Sequence, residues 1–152
     1  MATYTLTPSS TYNHQRFVND TPMKLLSVVF DGAQAALVKG SAVATTDVYR
    51  LMPIPAGAFV LMVTHDVLTA EGGTCTYNVG DGTDADGWVA GANGNSAATR
   101  ASSFNATTTP AFGVGKYYSV SDTLDIAIAS GTAANVVIKL SVTYILTNQI
   151  AI

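Results

Sequence analysis

The sequence predicts an all-β chain, an antiparallel β-sandwich of jelly-roll type with about eight strands. Three observations predict it. Apolar residues alternate with others at period two in one run after another, as half-buried strands require. The runs are separated by Gly, Asn, Asp and Pro in combinations that make tight turns. No segment carries a convincing period of 3.6 residues. At 152 residues and 15.7 kDa the chain has the size of one domain with one core.

Taken in chain order, the first 22 residues are polar and Thr-rich, and they read as an extended arm preceding a sandwich domain over 23–152. The arm contains one strand-like run, "TYTLT", whose backbone could pair with an exposed sheet edge. This makes Thr3, Tyr4, Thr5, Leu6, Thr7 and, further on, Tyr12 candidates for contact with another subunit. "LLSVVF" (Leu25 to Phe30) is the first strand of the domain, and a shorter one is expected near Ala36 to Lys39. "DVYRLMPI" follows, closed by Pro53 and Pro55, which cannot donate to a ladder.

Next comes a long strand in which Phe59, Leu61, Val63, His65 and Val67 share one face, ended by "EGG". "TCTYNV" is its hairpin partner. From Trp88 to Pro110 the chain is rich in Ala, Ser, Asn and Thr and reads as a long loop; loops of that length are usually functional or held by a neighbour. "KYYSV" (Lys116 to Val120) is a further strand. Leu124, Ile126 and Ile128 then alternate with Asp125, Ala127 and Ala129. "SGTAAN" joins it, as a C-terminal hairpin, to a last strand with Val136, Ile138, Leu140, Val142, Tyr144 and Leu146 on one face.

Charge narrows the function. Charged residues make up 11% of the chain, less than half the usual share, so its surface is unusually neutral. Such a surface suits a subunit living inside an assembly. The net charge is −3, and the seven Lys and Arg are scattered without a basic run, which argues against binding nucleic acid through its phosphates. No apolar stretch approaches the roughly 18 to 20 residues of a membrane helix, and the start has no signal-peptide pattern. Synthesis in a cytoplasm and no membrane partner are therefore expected. The single Cys75 falls in an alternating run and reads as a structural thiol.

Site chemistry can concentrate only in "YNVGDGTDADGW", where three aspartates and a tryptophan sit among glycines. Asp84, Asp86 and Gly87 match positions three, five and six of an EF-hand calcium loop, but Gly82 and Asn93 stand where the first carboxylate and the bidentate Glu belong. Asp81, Asp84 and Asp86 are thus weak metal candidates, and turn chemistry explains them as well. Trp88 could stack on a sugar, widened by Tyr77, Tyr117 and Tyr118; the alternative is a plug over the end of the sandwich. His14 and His65 have no nucleophile motif and no zinc spacing around them. Neither an enzyme nor a cofactor is expected.

The stretch from Asp47 to Val89, with its I-P-A strand end, T-A-E-G-G and V-G-D-G-T-D-A-D-G-W, resembles small head decoration (cement) proteins of tailed bacteriophages. "GKYYSVSDTLDIAI" and the closing strand resemble the end of the same proteins, so the likeness runs over about Leu25 to Thr147. The resemblance implies a β-sandwich on the outer surface of a virion capsid, with the major capsid protein as partner and a homo-oligomer, expected as a trimer, as the working form. The alternative function is a receptor- or carbohydrate-binding module of a phage tail fibre or baseplate.

Overall fold

A computed structural model of the chain describes residues 3–5, 23–103, 111–113 and 115–147. Ten strands and one helix are present among them: β1 (Thr3–Thr5), β2 (Met23–Asp31), α1 (Gly32–Lys39), β3 (Val48–Ile54), β4 (Ala58–Thr69), β5 (Cys75–Gly80), β6 (Val89–Asn93), β7 (Arg100–Ser102), β8 (Lys116–Tyr118), β9 (Asp122–Gly131) and β10 (Val137–Leu146). They form two sheets, one in the order β1-β3-β9-β5-β6 and the other β2-β10-β4-β7, with β8 pairing β4 beside β7.

Setting β1 and β8 aside leaves two four-stranded antiparallel sheets. The chain crosses between them at β2 to β3, β3 to β4, β4 to β5, β6 to β7, β7 to β9 and β9 to β10. The last two long strands each insert between two earlier ones, β10 between β2 and β4 and β9 between β3 and β5. This is the jelly-roll arrangement, and the fold class expected from alternation stands.

Alternation explains which faces meet. Val28 and Phe30 of β2, Val60, Val63 and Val67 of β4, and Ile138, Leu140 and Val142 of β10 point inward from one sheet. Tyr49 and Ile54 of β3, Tyr77 and Val79 of β5, and Leu124, Ile126 and Ile128 of β9 meet them from the other, making one core. An extra residue in β4, Leu61, stands opposite the Thr143 to Tyr144 step of β10, and this bulge keeps both strands in phase with the core.

Several local expectations need correction. "TCTYNV" (β5) is not the hairpin partner of β4: it lies in the other sheet, paired with β9 and β6. Phe59 and Leu61 do not share the face of Val63, His65 and Val67, because the extra residue at Leu61 shifts the phase and puts Ala58 and Val60 in the core instead. β9 and β10 form no hairpin, since they belong to different sheets. Ala36 to Lys39 is the second half of α1, not a strand. Asp31 caps its start by accepting from the Ala33 and Gln34 amides, and Gly40 ends it in the left-handed conformation at φ 76°. The segment from Trp88 onward is not one long loop, because β6 pairs with β5 and β7 with β4. Residues 104–110 of that segment lie outside the described residues. Finally, the sandwich is not wholly antiparallel: β1 runs parallel to β3, Thr3 to Thr5 lying against Val48 to Arg50.

Candidate functional site

The turn after β5 is organised by Asp81, which is buried. Its Oδ1 accepts from the Thr83 amide at 2.9 Å, the Thr83 hydroxyl at 2.7 Å and the Asp84 amide at 3.1 Å, so the carboxylate closes its own turn. Gly80 lets the loop fold back, since a Cβ there would collide with the Asp84 carbonyl. Oδ2 accepts from Tyr118 at 2.7 Å and pairs with the Lys116 ammonium, both on β8. Burial works to raise the Asp81 pKa, but the bonds from Lys116, Thr83 and Tyr118 outweigh it and hold the carboxyl below its ordinary value. The aspartate therefore ties the β5 turn, in one sheet, to β8, in the other.

Trp88 completes this junction. Its ring is fully buried, its Nε1 donates to the Tyr118 hydroxyl at 3.3 Å, and it meets the Phe112 ring edge-on at 5.1 Å between centroids. Lys116 lies over that same Phe112 ring, 3.8 Å from its centroid. Trp88 is a plug in the core with Tyr77 and Tyr118 also buried, so that of the four rings offered for a sugar platform only Tyr117 faces water. Asp84 and Asp86 remain near the surface, where Asp84 Oδ1 accepts from the Asp86 amide at 3.4 Å. A hydrogen bond between their side chains raises the Asp86 pKa. Among the described residues no group of three or more His, Cys, Asp or Glu is placed to hold a metal ion.

A second buried carboxylate works the same way near the arm. Asp47 pairs with Lys39 at the end of α1, accepts from the Ala44 amide at 3.0 Å and receives the Tyr49 hydroxyl at 3.5 Å. Tyr4 of β1 stacks on Tyr49 at 5.4 Å, with the Lys39 ammonium 5.8 Å from its ring centroid. Of the arm's candidate contact residues, Thr3, Tyr4 and Thr5 thus form an edge strand on the chain's own sheet. Leu6, Thr7 and Tyr12 lie outside the described residues.

Other polar groups pin the remaining ends. Glu71 accepts from the Asn135 amide at 2.7 Å and the Val136 amide at 2.9 Å, and from Thr132 at 3.2 Å, fixing the turn before β10. His65 and Tyr77 join the two sheets inside the core through a 2.6 Å bond from Nδ1 to the phenol oxygen. Burial lowers the His65 pKa, against a small opposing pull from Asp66, and the ring reads as a structural histidine. Burial also pushes the Cys75 thiol up to about 11, as expected of an inert core cysteine. Sequence reasoning missed Lys39, Asp47, Glu71, Lys116 and Asp125. Their signal was present: in a chain so poor in charge, a carboxylate inside an apolar run, such as "TDVY" or "LDIA", is a candidate for a buried network.

No protein-family description matches this sequence, and no curated protein sequence matches it either. Solved structures do match its fold. A chain in the acid-stable capsid of Helicobacter pylori bacteriophage KHP30 aligns with a TM-score of 0.57 and 15% identity, over 82% of this chain and 88% of that one. A chain of the cyanophage Pam1 capsid asymmetric unit aligns at 0.56 and 25% identity, over 90% and 98%. A chain from the capsid of Ralstonia phage GP4 aligns at 0.56 and 20% identity, over 81% and 83%. This chain shares its fold with chains of phage capsids. The match takes in most of each partner's length, so those chains are of about this size. No helix among the described residues is long and apolar enough to cross a membrane.

Proposed function

We propose that the chain is a non-enzymatic structural protein of a bacteriophage virion, a decoration or cement protein that binds the outer surface of the capsid and stabilises the shell. The single observation that carries this reading is the near end-to-end fold match to small single-domain chains in three phage capsids. The low-charge composition supports it, and so does the structural use of the Asp81 turn, whose carboxylate and tryptophan are consumed in holding the sandwich closed. The partner is the major capsid protein. Copies linked in one homo-oligomer, expected as a trimer, would engage several shell subunits at once, each further contact being favoured by effective concentration. The arm over 1–22, with Thr3, Tyr4, Thr5, Leu6, Thr7 and Tyr12, is the proposed strap across neighbouring subunits.

The test compares particles assembled with and without the protein. Depleted particles should form with normal geometry but release their contents at lower temperature or under osmotic shock, and adding the purified protein should restore resistance. Protein lacking residues 1–22 should stay folded yet sediment less with stripped capsids. Depleted particles that burst like complete ones, while differing only in attachment to host cells, would replace the cement reading with receptor binding.

A further inference from the structure

The outward face of the β2-β10-β4-β7 sheet carries an open trough of about 420 Å³ between β10 and β7. Its floor is β4, and register sets its walls. Thr64 of β4 stands between Ser141 of β10 and Ser102 of β7; two residues on, Asp66 stands between Lys139 and Arg100. The alternation that buries Val63, His65 and Val67 turns these six side chains outward.

The trough holds more donors than acceptors. Arg100 binds Asp66 through Nε at 2.9 Å, its side chain stays 79% exposed, and its terminal nitrogens have no partner among the described residues. Lys139 is exposed and has no ion-pair or hydrogen-bond partner among them, and the Thr64 and Ser102 hydroxyls have none either. Only Ser141 is engaged, with Ser27 at 2.8 Å. Elsewhere Lys39 and Lys116 are tied to buried aspartates. In a chain with seven Lys and Arg, two of them facing each other across one carboxylate concentrate positive charge.

Charge and spacing specify an occupant. Two donor-only cations against a single aspartate leave one positive charge over, which one carboxylate cancels. Phosphate, carrying about −1.5 to −2 at pH 7, would turn the trough negative beside Asp66. A sugar acid finds no exposed ring to stack on, because the only ring in the lining, His65, is buried and bonded to Tyr77. From the basic pair to the hydroxyl pair is one two-residue step of a strand, about 6.8 Å, and the walls stand about 10 Å apart. An extended peptide laid along β4 has that same period. With an acidic side chain between Lys139 and Arg100, its side chain two residues away lies between Ser102 and Ser141.

We propose that this trough binds an extended segment of the shell protein that carries Asp or Glu and, two residues away, Ser, Thr or Asn. The Lys139 ammonium and the terminal nitrogens of Arg100 take the carboxylate in charge-assisted hydrogen bonds, while the Thr64 and Ser102 hydroxyls bond the polar side chain. The identity of the partner rests on the decoration reading; the chemistry of the segment rests on the trough alone.

Titrating the isotope-labelled full chain with the capped pentapeptide Gly-Glu-Ala-Thr-Gly, read by amide NMR shifts, tests the chemistry. Shifts should concentrate at residues 64–66, 100–102 and 139–141, with a dissociation constant on the order of millimolar, and should shrink as salt is raised. Replacing Glu by Gln in the peptide should weaken binding about tenfold, as should Arg100→Gln with Lys139→Gln; Lys139→Gln alone should weaken it about threefold. That single change breaks no contact within the chain, so misfolding cannot imitate its effect. No shifts at tens of millimolar peptide, or tighter binding of glucuronate or inorganic phosphate than of the peptide, overturns the proposal. Sedimentation with stripped capsids tests the partner: the double variant should bind shells about tenfold more weakly than the parent. A parent that fails to sediment removes the decoration reading and with it the shell protein as occupant, whereas a parent and double variant that sediment alike overturn the trough proposal alone.

Discussion

Replacing Asp125 with Asn should stabilise the protein at pH 8, a gain that is gone by pH 4. Asp125 sits on β9 between Arg50 of β3 and Gly80 of β5, it is 4% exposed, and its Oδ1 has no hydrogen-bond partner among the described residues. Burial raises its pKa to about 6; Thr123 and Arg50 pull the other way, while the Asp122 and Asp81 charges add to the rise. A folded-state pKa above the unfolded one means that the folded protein prefers the protonated carboxyl. The preference helps folding at low pH and is lost as pH rises through about 6. From an ordinary value of 3.8, a rise to about 6 corresponds to roughly 3 kcal/mol of lost stability at pH 8. The Asn amide must also find partners, which reduces the net gain to about 1–2 kcal/mol. For a domain of this size that is about 2–8 °C in melting temperature. Calorimetric melting of both proteins from pH 4 to pH 8 measures it. An Asn variant no more stable than the parent at pH 8, or a difference that does not shrink on acidification, would refute the reasoning that an ionised, half-satisfied carboxylate is buried there.

The Asp81 turn separates a structural carboxylate from surface ones. Asp81→Ala should cost about 3–5 kcal/mol, because it leaves Lys116 without its buried partner. Asp84→Asn combined with Asp86→Asn should change stability by no more than about 0.5 kcal/mol, and calcium chelation should have no effect; a calcium-dependent loss would point to a metal site instead. On the acid side, burial works to raise the pKa values of Asp47 and Glu71 but is outweighed, by Lys39 and the Ala44 amide for Asp47 and by the amides of 134–136 for Glu71. Their contribution, present above the ordinary carboxylate range, should vanish as pH falls through and below about 4, whereas the depressed His65 withdraws support already below about 6.5. Denaturant melts across that range should show Glu71→Gln less stable than the parent at pH 7, with the two converging below pH 4.

Local alternation by itself determined most of the sandwich. Phe59 to Leu68, "TCTYNV", Leu124 to Ala129 and Val136 to Leu146 announce strands because a half-buried strand needs period two, whatever it pairs with. The helix escaped that reading because eight residues barely span two turns and its Leu37 and Val38 face water; only its caps, Asp31 and Gly40, carried the signal. The strands "VAGAN" and "RAS" have too few apolar side chains to alternate, and their partners β5 and β4 define them. Tyr4 joins the core edge only because β3 offers a free parallel edge beside Tyr49. Asp125 in "LDIA" marks a charge inside an apolar run, but that its carboxylate is buried with one oxygen short of a partner is decided only by the surrounding structure. Cross-strand neighbours could not be read locally at all. They join residues as far apart as Met23 and Ile145, and an extra residue at Leu61 resets the register between β10 and β4. Period two tells a side chain which face it takes; which other side chains share that face is decided by long-range pairing.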